Sequence, residues 1–155
     1  MLLDGTKQRI KVTDFGLSQS TDTQTHTTQS GGAAGTFAYM APELMSEGIF
    51  TEKADVYSYG VVVWECVTCK HPSWSNVASM MQILSCVVMK NMRPPLTDEE
   101  EEATPAGVLE LMRQCWDKDE NARPTFSEVS QITSGLVRSG STKTTFVSDS
   151  DSTLA

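Results

Sequence analysis

The sequence predicts a mainly α-helical domain that begins with a short β-hairpin. Asp4-Gly5, a strong turn signal, separates the apolar runs Leu2-Leu3 and Ile10-Lys11-Val12. Residues 53–68 carry apolar side chains at helical spacing on nearly every side, as expected of a buried helix. Thr125 and Glu128 have capping-box spacing and mark the start of a last helix. We therefore expect about four helices after the hairpin.

The types of residue along the chain predict one long loop and the residues of the core. Residues 18–34 contain almost no apolar side chains, so we predict a mobile loop. Gly60 interrupts the buried helix at a propensity cost of about 1 kcal/mol, and we expect it to serve close packing. The predicted core comprises Val61 to Val67 (with Trp64), Leu109, Met112, Trp116, Val129 and Ile132.

Two further helices are predicted between these elements. Ser75 or Asn76 can cap a helix through residues 80–87, whose methionine-rich face we expect to fill the core. Thr104, followed by Pro105, has the pattern of an N-cap with proline at the first helical position.

The charge of the chain limits its partners. The formal net charge is −8, which argues against nucleic acid or an anionic membrane as a partner. Residues 98–102 are all acidic, and we predict a solvated loop there. The sequence begins without an apolar signal region and has no apolar stretch of about 20 residues, so a cytoplasmic location is expected.

The cysteines and histidines carry little functional signal. Cys66 and Cys69 have the spacing of a metal or redox pair, but no second ligand pair follows, so we favour buried thiols. His26 has no acid or nucleophile placed beside it, and His71 is predicted to pack in a loop.

Asp14 is the strongest candidate for chemistry. It follows a predicted strand, and a carboxylate at a strand end suits a hard cation such as Mg²⁺. Phe15 can pack inward or swing out, and Gly16 lets the backbone turn. Three residues alone are a weak signal, so the interpretation depends on the motifs that follow.

Three further motifs follow in order. Ala41-Pro42-Glu43 begins 27 residues after Asp14, and the later motifs are Asp55-Val56-Tyr57-Ser58-Tyr59-Gly60 and Cys115-Trp116-Asp117 with Arg123-Pro124-Thr125-Phe126. Over residues 1–136 this set resembles the protein kinase family. The stretch Gly35-Thr36-Phe37-Ala38-Tyr39-Met40 is similar to serine/threonine-specific members, and the Cys-Trp and Arg-Pro-Thr-Phe ending is similar to the tyrosine-kinase-like group.

The resemblance implies a fold and a domain organisation. Residues 1–136 would be the helical large lobe of a kinase with a short hairpin, starting after the catalytic loop and without the β-rich small lobe. Residues 137–155, rich in serine and threonine, would be a disordered tail.

The resemblance also assigns the nucleotide and substrate residues. Asp14 would bind the Mg²⁺ that bridges the phosphates of ATP, and Leu2 and Thr13 would line the floor of the nucleotide pocket. Residues 14–43 would be the activation segment. Thr36 would receive the protein substrate and contact the catalytic aspartate of an intact kinase.

Regulatory and structural roles follow in the same way. The regulatory positions would be Phe15, Gly16 and the phosphorylation acceptors Thr27, Thr28 and Ser30. Glu43 would form a buried bidentate ion pair with Arg123. Asp55 would bond the backbone of the catalytic loop, or alternatively serve as a first-turn carboxylate favoured by the helix dipole.

Several family motifs do not occur in the sequence. It contains no Gly-x-Gly-x-x-Gly, no Val-Ala-Ile-Lys equivalent and no His-Arg-Asp. We therefore expect a chain that is inactive alone, binds ATP weakly or not at all, and exposes a cleft surface that the small lobe or a partner would cover. Three hypotheses stay open: a serine/threonine kinase with a truncated sequence, a non-catalytic kinase-derived scaffold, and an acidic regulatory protein.

Overall fold

The computed structural model describes residues 2–3, 10–13, 37–72 and 80–140. Strands β1 (Leu2–Leu3) and β2 (Ile10–Lys11) are followed by helices α1 (Pro42–Glu47), α2 (Glu52–Thr68) and α3 (Met80–Leu84), which continues as a π-helical turn (Ser85–Met89). Then come α4 (Asp98–Ala103), α5 (Ala106–Cys115), a 3₁₀ turn (Glu120–Ala122) and α6 (Phe126–Gly140). The prediction of a mainly α-helical fold is confirmed.

The two strands form the predicted antiparallel pair. Leu2 lies opposite Lys11, and Leu3 lies opposite Ile10. The predicted turn at Asp4-Gly5 lies outside the described residues.

Helix α2 is the centre of the helical core. It packs against α5, and α6 in turn packs on α5, while α1 packs against α3 and the π-helical turn. Thr51 caps its first turn, where the Thr51 hydroxyl accepts a hydrogen bond from the Ala54 amide at 3.3 Å. Cys69 ends the helix in the left-handed conformation, with φ 53°.

Most of the predicted core is confirmed. Val61, Trp64, Leu109, Met112, Trp116 and Val129 are buried. Val62, Val63, Val67 and Ile132 are only partly buried, although Val63 and Ile132 pack against the buried clusters.

Gly60 allows the close approach of α2 and α5. A β-carbon at Gly60 would lie 2.9 Å from Cys115 Cβ and 3.3 Å from the Met112 carbonyl oxygen and the Trp116 amide nitrogen. The space is therefore too small for any larger residue, which confirms the packing role that the sequence predicted.

Replacing Gly60 by alanine should therefore destabilise the protein. Overpacking costs about 1–3 kcal/mol and outweighs the gain of about 1 kcal/mol in helix propensity. The matched control is Gly135→Ala in α6, where nothing lies within 4 Å of the added carbon. Urea denaturation should show a loss of stability for Gly60→Ala and a gain for Gly135→Ala; two gains of equal size would contradict the close packing.

The structure corrects the prediction for the acidic run. Residues 98–102 belong to helix α4 and not to a loop. Thr97 and Glu100 form a capping box, with the Thr97 amide donating to Glu100 Oε2 at 2.9 Å and the Glu100 amide donating to Thr97 Oγ1 at 3.2 Å. Negative side chains in a first turn are favourable because they face the positive end of the helix dipole.

The predicted start of the next helix is also wrong by one position. Thr104 ends α4, and its hydroxyl donates to the Glu100 carbonyl at 2.6 Å instead of capping α5. Pro105 is the N-cap of α5, so the helix itself begins at Ala106.

The methionine-rich face of the α3 region is partly exposed. Ile83 and Val87, four residues apart, form the buried side, whereas Met81 is 71 % exposed. Met81 lies two positions before Ile83 and therefore points away from it. The prediction that this face fills the core is wrong for Met81, and the caps predicted at Ser75 or Asn76 lie outside the described residues.

The cysteines also differ from the prediction. Cys66, in the last turn of α2, and Cys69, which ends that helix, are both exposed. Cys115 is buried, and burial raises the pKa of its thiol to about 11, so this thiol stays protonated.

Helix α6 begins at the predicted capping box. The Thr125 amide donates to Glu128 Oε2 at 2.7 Å, and the Glu128 amide donates to Thr125 Oγ1 at 3.3 Å. The helix continues to Gly140, so the predicted domain boundary at residue 136 lies within it.

Candidate functional site

The described part of the candidate site centres on the segment 37–43, which enters α1. Phe37, Ala38 and Ala41 are buried, and the Met40 amide donates to the Phe37 carbonyl at 3.2 Å. Pro42 occupies the first helical position, where its missing N–H breaks no helical bond. The segment is therefore held against the core on both sides of Tyr39.

Tyr39 is anchored at its hydroxyl and at its carbonyl. The hydroxyl donates to Glu65 Oε1 at 2.7 Å, and the Tyr39 carbonyl accepts from the Ser58 hydroxyl at 2.8 Å. Burial and the bond to Glu65 raise the pKa of Tyr39 to about 12, so the phenol remains a donor at neutral pH. The ring of His71 meets the Tyr39 ring edge-on, with centroids 6.1 Å apart, which agrees with the predicted packing role of His71.

Glu43 and Arg123 form the expected bidentate ion pair. Arg123 Nη1 donates to Glu43 Oε1 at 2.7 Å, and Nη2 donates to Glu43 Oε2 at 2.8 Å. The Arg123 side chain is fully buried and that of Glu43 is 14 % exposed. The pair joins residues that are 80 positions apart in the sequence, so it fixes α1 to the turn before α6.

Two further N–H groups of the Arg123 guanidinium are also paired. Its Nε donates to the Asp117 carbonyl at 2.9 Å, and Nη1 donates to the Lys53 carbonyl at 3.0 Å. The Lys53 ammonium in turn donates a hydrogen bond to the Arg123 carbonyl. Buried charges are tolerated when they are hydrogen-bonded, and each of the three guanidinium nitrogens of Arg123 has a partner.

The ring of Tyr57 contacts two guanidinium groups. The Arg123 guanidinium carbon is 5.2 Å from the centre of the Tyr57 ring, and that of Arg93 is 5.1 Å from it. Arg93 Nε donates to the Trp116 carbonyl at 2.8 Å. Trp116 is buried in the same apolar cluster as Tyr57.

Asp55 lies in the first turn of α2 with its side chain exposed. The surrounding protein reduces hydration of the carboxylate and raises the pKa of Asp55. Its position suits both interpretations given above, a helix-dipole carboxylate or a partner for backbone amides.

The nucleotide and regulatory residues fall largely outside the described ranges. Leu2 lies in β1, and Thr13 is exposed just after β2. The positions outside the described residues are Asp14, Phe15, Gly16, Thr27, Thr28, Ser30 and Thr36.

The described residues alone do not supply a cation site. Within them, no group of three or more His, Cys, Asp or Glu side chains could hold a metal ion. In the same ranges, no helix is long and apolar enough to cross a membrane.

Several contacts of the site were not predicted from the sequence. These are the Tyr39–Glu65 and Ser58–Tyr39 hydrogen bonds, the reciprocal Lys53–Arg123 bonds and the contact of Arg93 with Tyr57. Most involve a backbone carbonyl or a single polar side chain on a buried helix, and no spacing rule marks such residues.

Comparison with known proteins identifies the family. The family model for protein tyrosine and serine/threonine kinase matches residues 1–132. The dual specificity protein kinase shkE of Dictyostelium discoideum is 40% identical over 79% of this chain and 16% of its own length. The dual specificity protein kinase shkC of the same organism is 36% identical over 83% of this chain and 24% of its own length. Mitogen-activated protein kinase kinase kinase 7 of Homo sapiens is 34% identical over 83% of this chain and 20% of its own length.

The chain thus spans between 16% and 24% of the length of these curated relatives. The four motifs and the family match cover the same part of the chain, and the ion pair between Glu43 and Arg123 joins two of those motifs. This chain therefore belongs to the protein tyrosine and serine/threonine kinase family.

Proposed function

We propose that this chain supplies the substrate side of a protein kinase that transfers the γ-phosphoryl group of ATP to serine or threonine of a protein. The Glu43–Arg123 pair supports this proposal most directly, because it fixes the end of the activation segment to the helical core. Phosphoryl transfer depends on positioning and charge stabilisation, so a rigid platform beside the substrate has a direct catalytic value.

The anchored segment 37–43 would hold the protein substrate. Tyr39 is fixed at its carbonyl by Ser58 and at its hydroxyl by Glu65. In our proposal Thr36 directly precedes this rigid part, and its hydroxyl would contact the catalytic aspartate of the intact domain. Thr27, Thr28 and Ser30 would act as phosphorylation acceptors that regulate the segment.

Membership of the family implies that the intact domain uses ATP and Mg²⁺. We propose that Asp14 binds the cation and that Leu2 and Thr13 line the floor of the nucleotide pocket. The Mg²⁺–ATP complex would supply the phosphoryl group with part of its charge neutralised. The sequence contains no His-Arg-Asp loop and no glycine-rich loop, so these functions would come from a longer protein.

The 155-residue chain alone is therefore expected to have no kinase activity and negligible affinity for Mg²⁺–ATP. Calorimetric titration of this chain with Mg²⁺–ATP should give no saturable heat. An affinity in the micromolar range, about −8 kcal/mol of binding free energy, would contradict the expectation.

The kinase function itself is tested in the longer protein that contains this chain. Asp14→Asn should abolish transfer of phosphate from radiolabelled ATP to a generic protein substrate, because the amide has lost the charge that binds Mg²⁺. The matched control is Asp119→Asn, an exposed N-cap position where asparagine caps equally well. Unchanged activity in Asp14→Asn would refute the role of Asp14.

A second candidate is dual specificity, which the names of the two Dictyostelium relatives suggest. Phosphoamino acid analysis of the products separates the two functions. Phosphoserine and phosphothreonine alone would support serine/threonine specificity, whereas phosphotyrosine produced by the wild type and absent from Asp14→Asn would support dual specificity.

A further inference from the structure

A groove of about 440 Å³ lies between the end of α2, helix α4 and the start of α5. Its lining includes Val67, Glu99, Ala103, Thr104, Pro105 and Val108. The volume falls within the range of about 300–1,000 Å³ that is typical of ligand pockets in proteins. Apart from the glutamates the lining is mainly apolar, so the groove can accept aliphatic side chains.

The groove has an acidic rim, which is formed by Glu99 and Glu100 of α4. Asp98, Glu101 and Glu102 belong to the same helix. Glu100 pairs with Lys70 at 2.6 Å, and Glu101 pairs with Arg113. Among the described residues, no lysine or arginine lies within salt-bridge distance of the three other carboxylates, so the rim keeps an excess of negative charge.

The Lys70–Glu100 ion pair and the capping box also hold α4 in place. Glu100 is only 18 % exposed, and it contacts both Lys70, just after α2, and the Thr97 amide. The wall of the groove is therefore tied to α2 before any ligand binds. Such a preformed surface lowers the entropic cost of binding.

We propose that this groove docks a basic amphipathic segment of a partner protein. Apolar side chains of the segment would enter the groove, while its lysine or arginine residues would face Glu99 in the lining and the neighbouring Glu102 on α4. This combination of an apolar contact and a charged rim is how grooves bind amphipathic helices.

Charge complementarity excludes two other occupants. A second copy of the chain carries a net charge of −8 and would be repelled by the rim. Residues 141–155 contain Lys143 as their single basic residue, against two aspartates, and are equally unsuited.

Docking at the groove requires neither ATP nor a catalytic residue, so it can be measured whether or not the kinase function is established.

The probe is a short fluorescent peptide of leucine and lysine with leucines at helical spacing. We expect its fluorescence anisotropy to rise on titration with the chain, and binding to weaken about tenfold in Glu99→Lys/Glu102→Lys and in Ala103→Trp, equivalent to about 1.4 kcal/mol. Glu102 and Ala103 are exposed on α4, so neither change should perturb the core. Glu47→Lys, an exposed charge reversal on α1, is the control and should bind as the wild type does.

Two control peptides separate docking from simple charge attraction. One replaces lysine by glutamate, and the other keeps the composition but scrambles the leucine spacing; neither should bind. The proposal would be overturned if the leucine–lysine peptide did not bind, or if the scrambled peptide bound equally well. It would also be overturned if Ala103→Trp had no effect on binding, or if Glu47→Lys weakened binding as much as the groove variants do. Self-association of the chain that Ala103→Trp abolishes would also overturn it, by assigning the groove to a second copy.

Discussion

Replacing Arg123 by methionine is expected to lower the free energy of unfolding by about 3–5 kcal/mol. The change leaves the Glu43 carboxylate, 14 % exposed, without its partner, and it removes the bonds to the Asp117 and Lys53 carbonyls. A domain is stable by only about 5–15 kcal/mol, so the loss is a large fraction of the total. Equilibrium denaturation in urea, followed by circular dichroism, measures it.

Arg113→Met is the matched control for this substitution. Arg113 pairs with Glu101 on the surface, where the two side chains are 50 % and 47 % exposed. Solvent screens such pairs, so the loss should stay below about 1 kcal/mol. Equal losses for the two variants would mean that burial and the additional hydrogen bonds of Arg123 contribute nothing.

Replacing Trp64 by alanine is expected to cost a further large amount, about 3–5 kcal/mol. Trp64 is 4 % exposed in the main apolar cluster, and its indole N–H donates to the Pro95 carbonyl at 3.0 Å. The substitution leaves a cavity and also removes the bond that ties the extended chain around Pro95 to α2. Thermal and urea unfolding of the variant give the loss directly.

Trp64→Phe separates the cavity from the hydrogen bond. Phenylalanine retains much of the apolar volume but cannot donate, so the loss from the missing bond should be about 0.5–1.5 kcal/mol, together with a smaller cavity cost. If the phenylalanine and alanine variants lose the same stability, the packing of the indole is not what stabilises this part of the core.

The contact that could be predicted best from the sequence is the Glu43–Arg123 pair. Each partner lies in a motif that is recognisable by itself, and the family resemblance connects the two motifs. Helix α2 was also predictable, because its apolar side chains recur at helical spacing and Gly60 marks a close approach. These features are encoded in residue type and spacing, which are visible without coordinates.

Long-range contacts to backbone carbonyls were not predictable. Trp64 bonds a carbonyl 31 positions away, and Lys53 bonds one 70 positions away. A carbonyl is present at every residue, so nothing in the sequence selects Pro95 or Arg123 as the acceptor. The contact between Tyr39 and Glu65 was not predictable either, because it depends on how segment 37–43 lies against α2.

The sequence of the acidic helix α4 contains a capping signal that the charge of the run obscured. Thr97 and Glu100 have capping-box spacing, which predicts a helix start at Asp98. Charge repulsion along the run favours an extended loop, but the bonds of the capping box, the helix dipole and the pair with Lys70 stabilise the helix. Local capping therefore outweighed composition in this segment.

The most direct test of the account is a double-mutant cycle on Glu43 and Arg123. Unfolding free energies of Glu43→Gln, Arg123→Met and the double variant give the coupling between the two motifs. A buried bidentate pair predicts a coupling of about 2–3 kcal/mol, with the double variant scarcely less stable than Arg123→Met alone. Additive losses, with a coupling below about 0.5 kcal/mol, would contradict the central claim that this pair fixes segment 37–43 to the helical core.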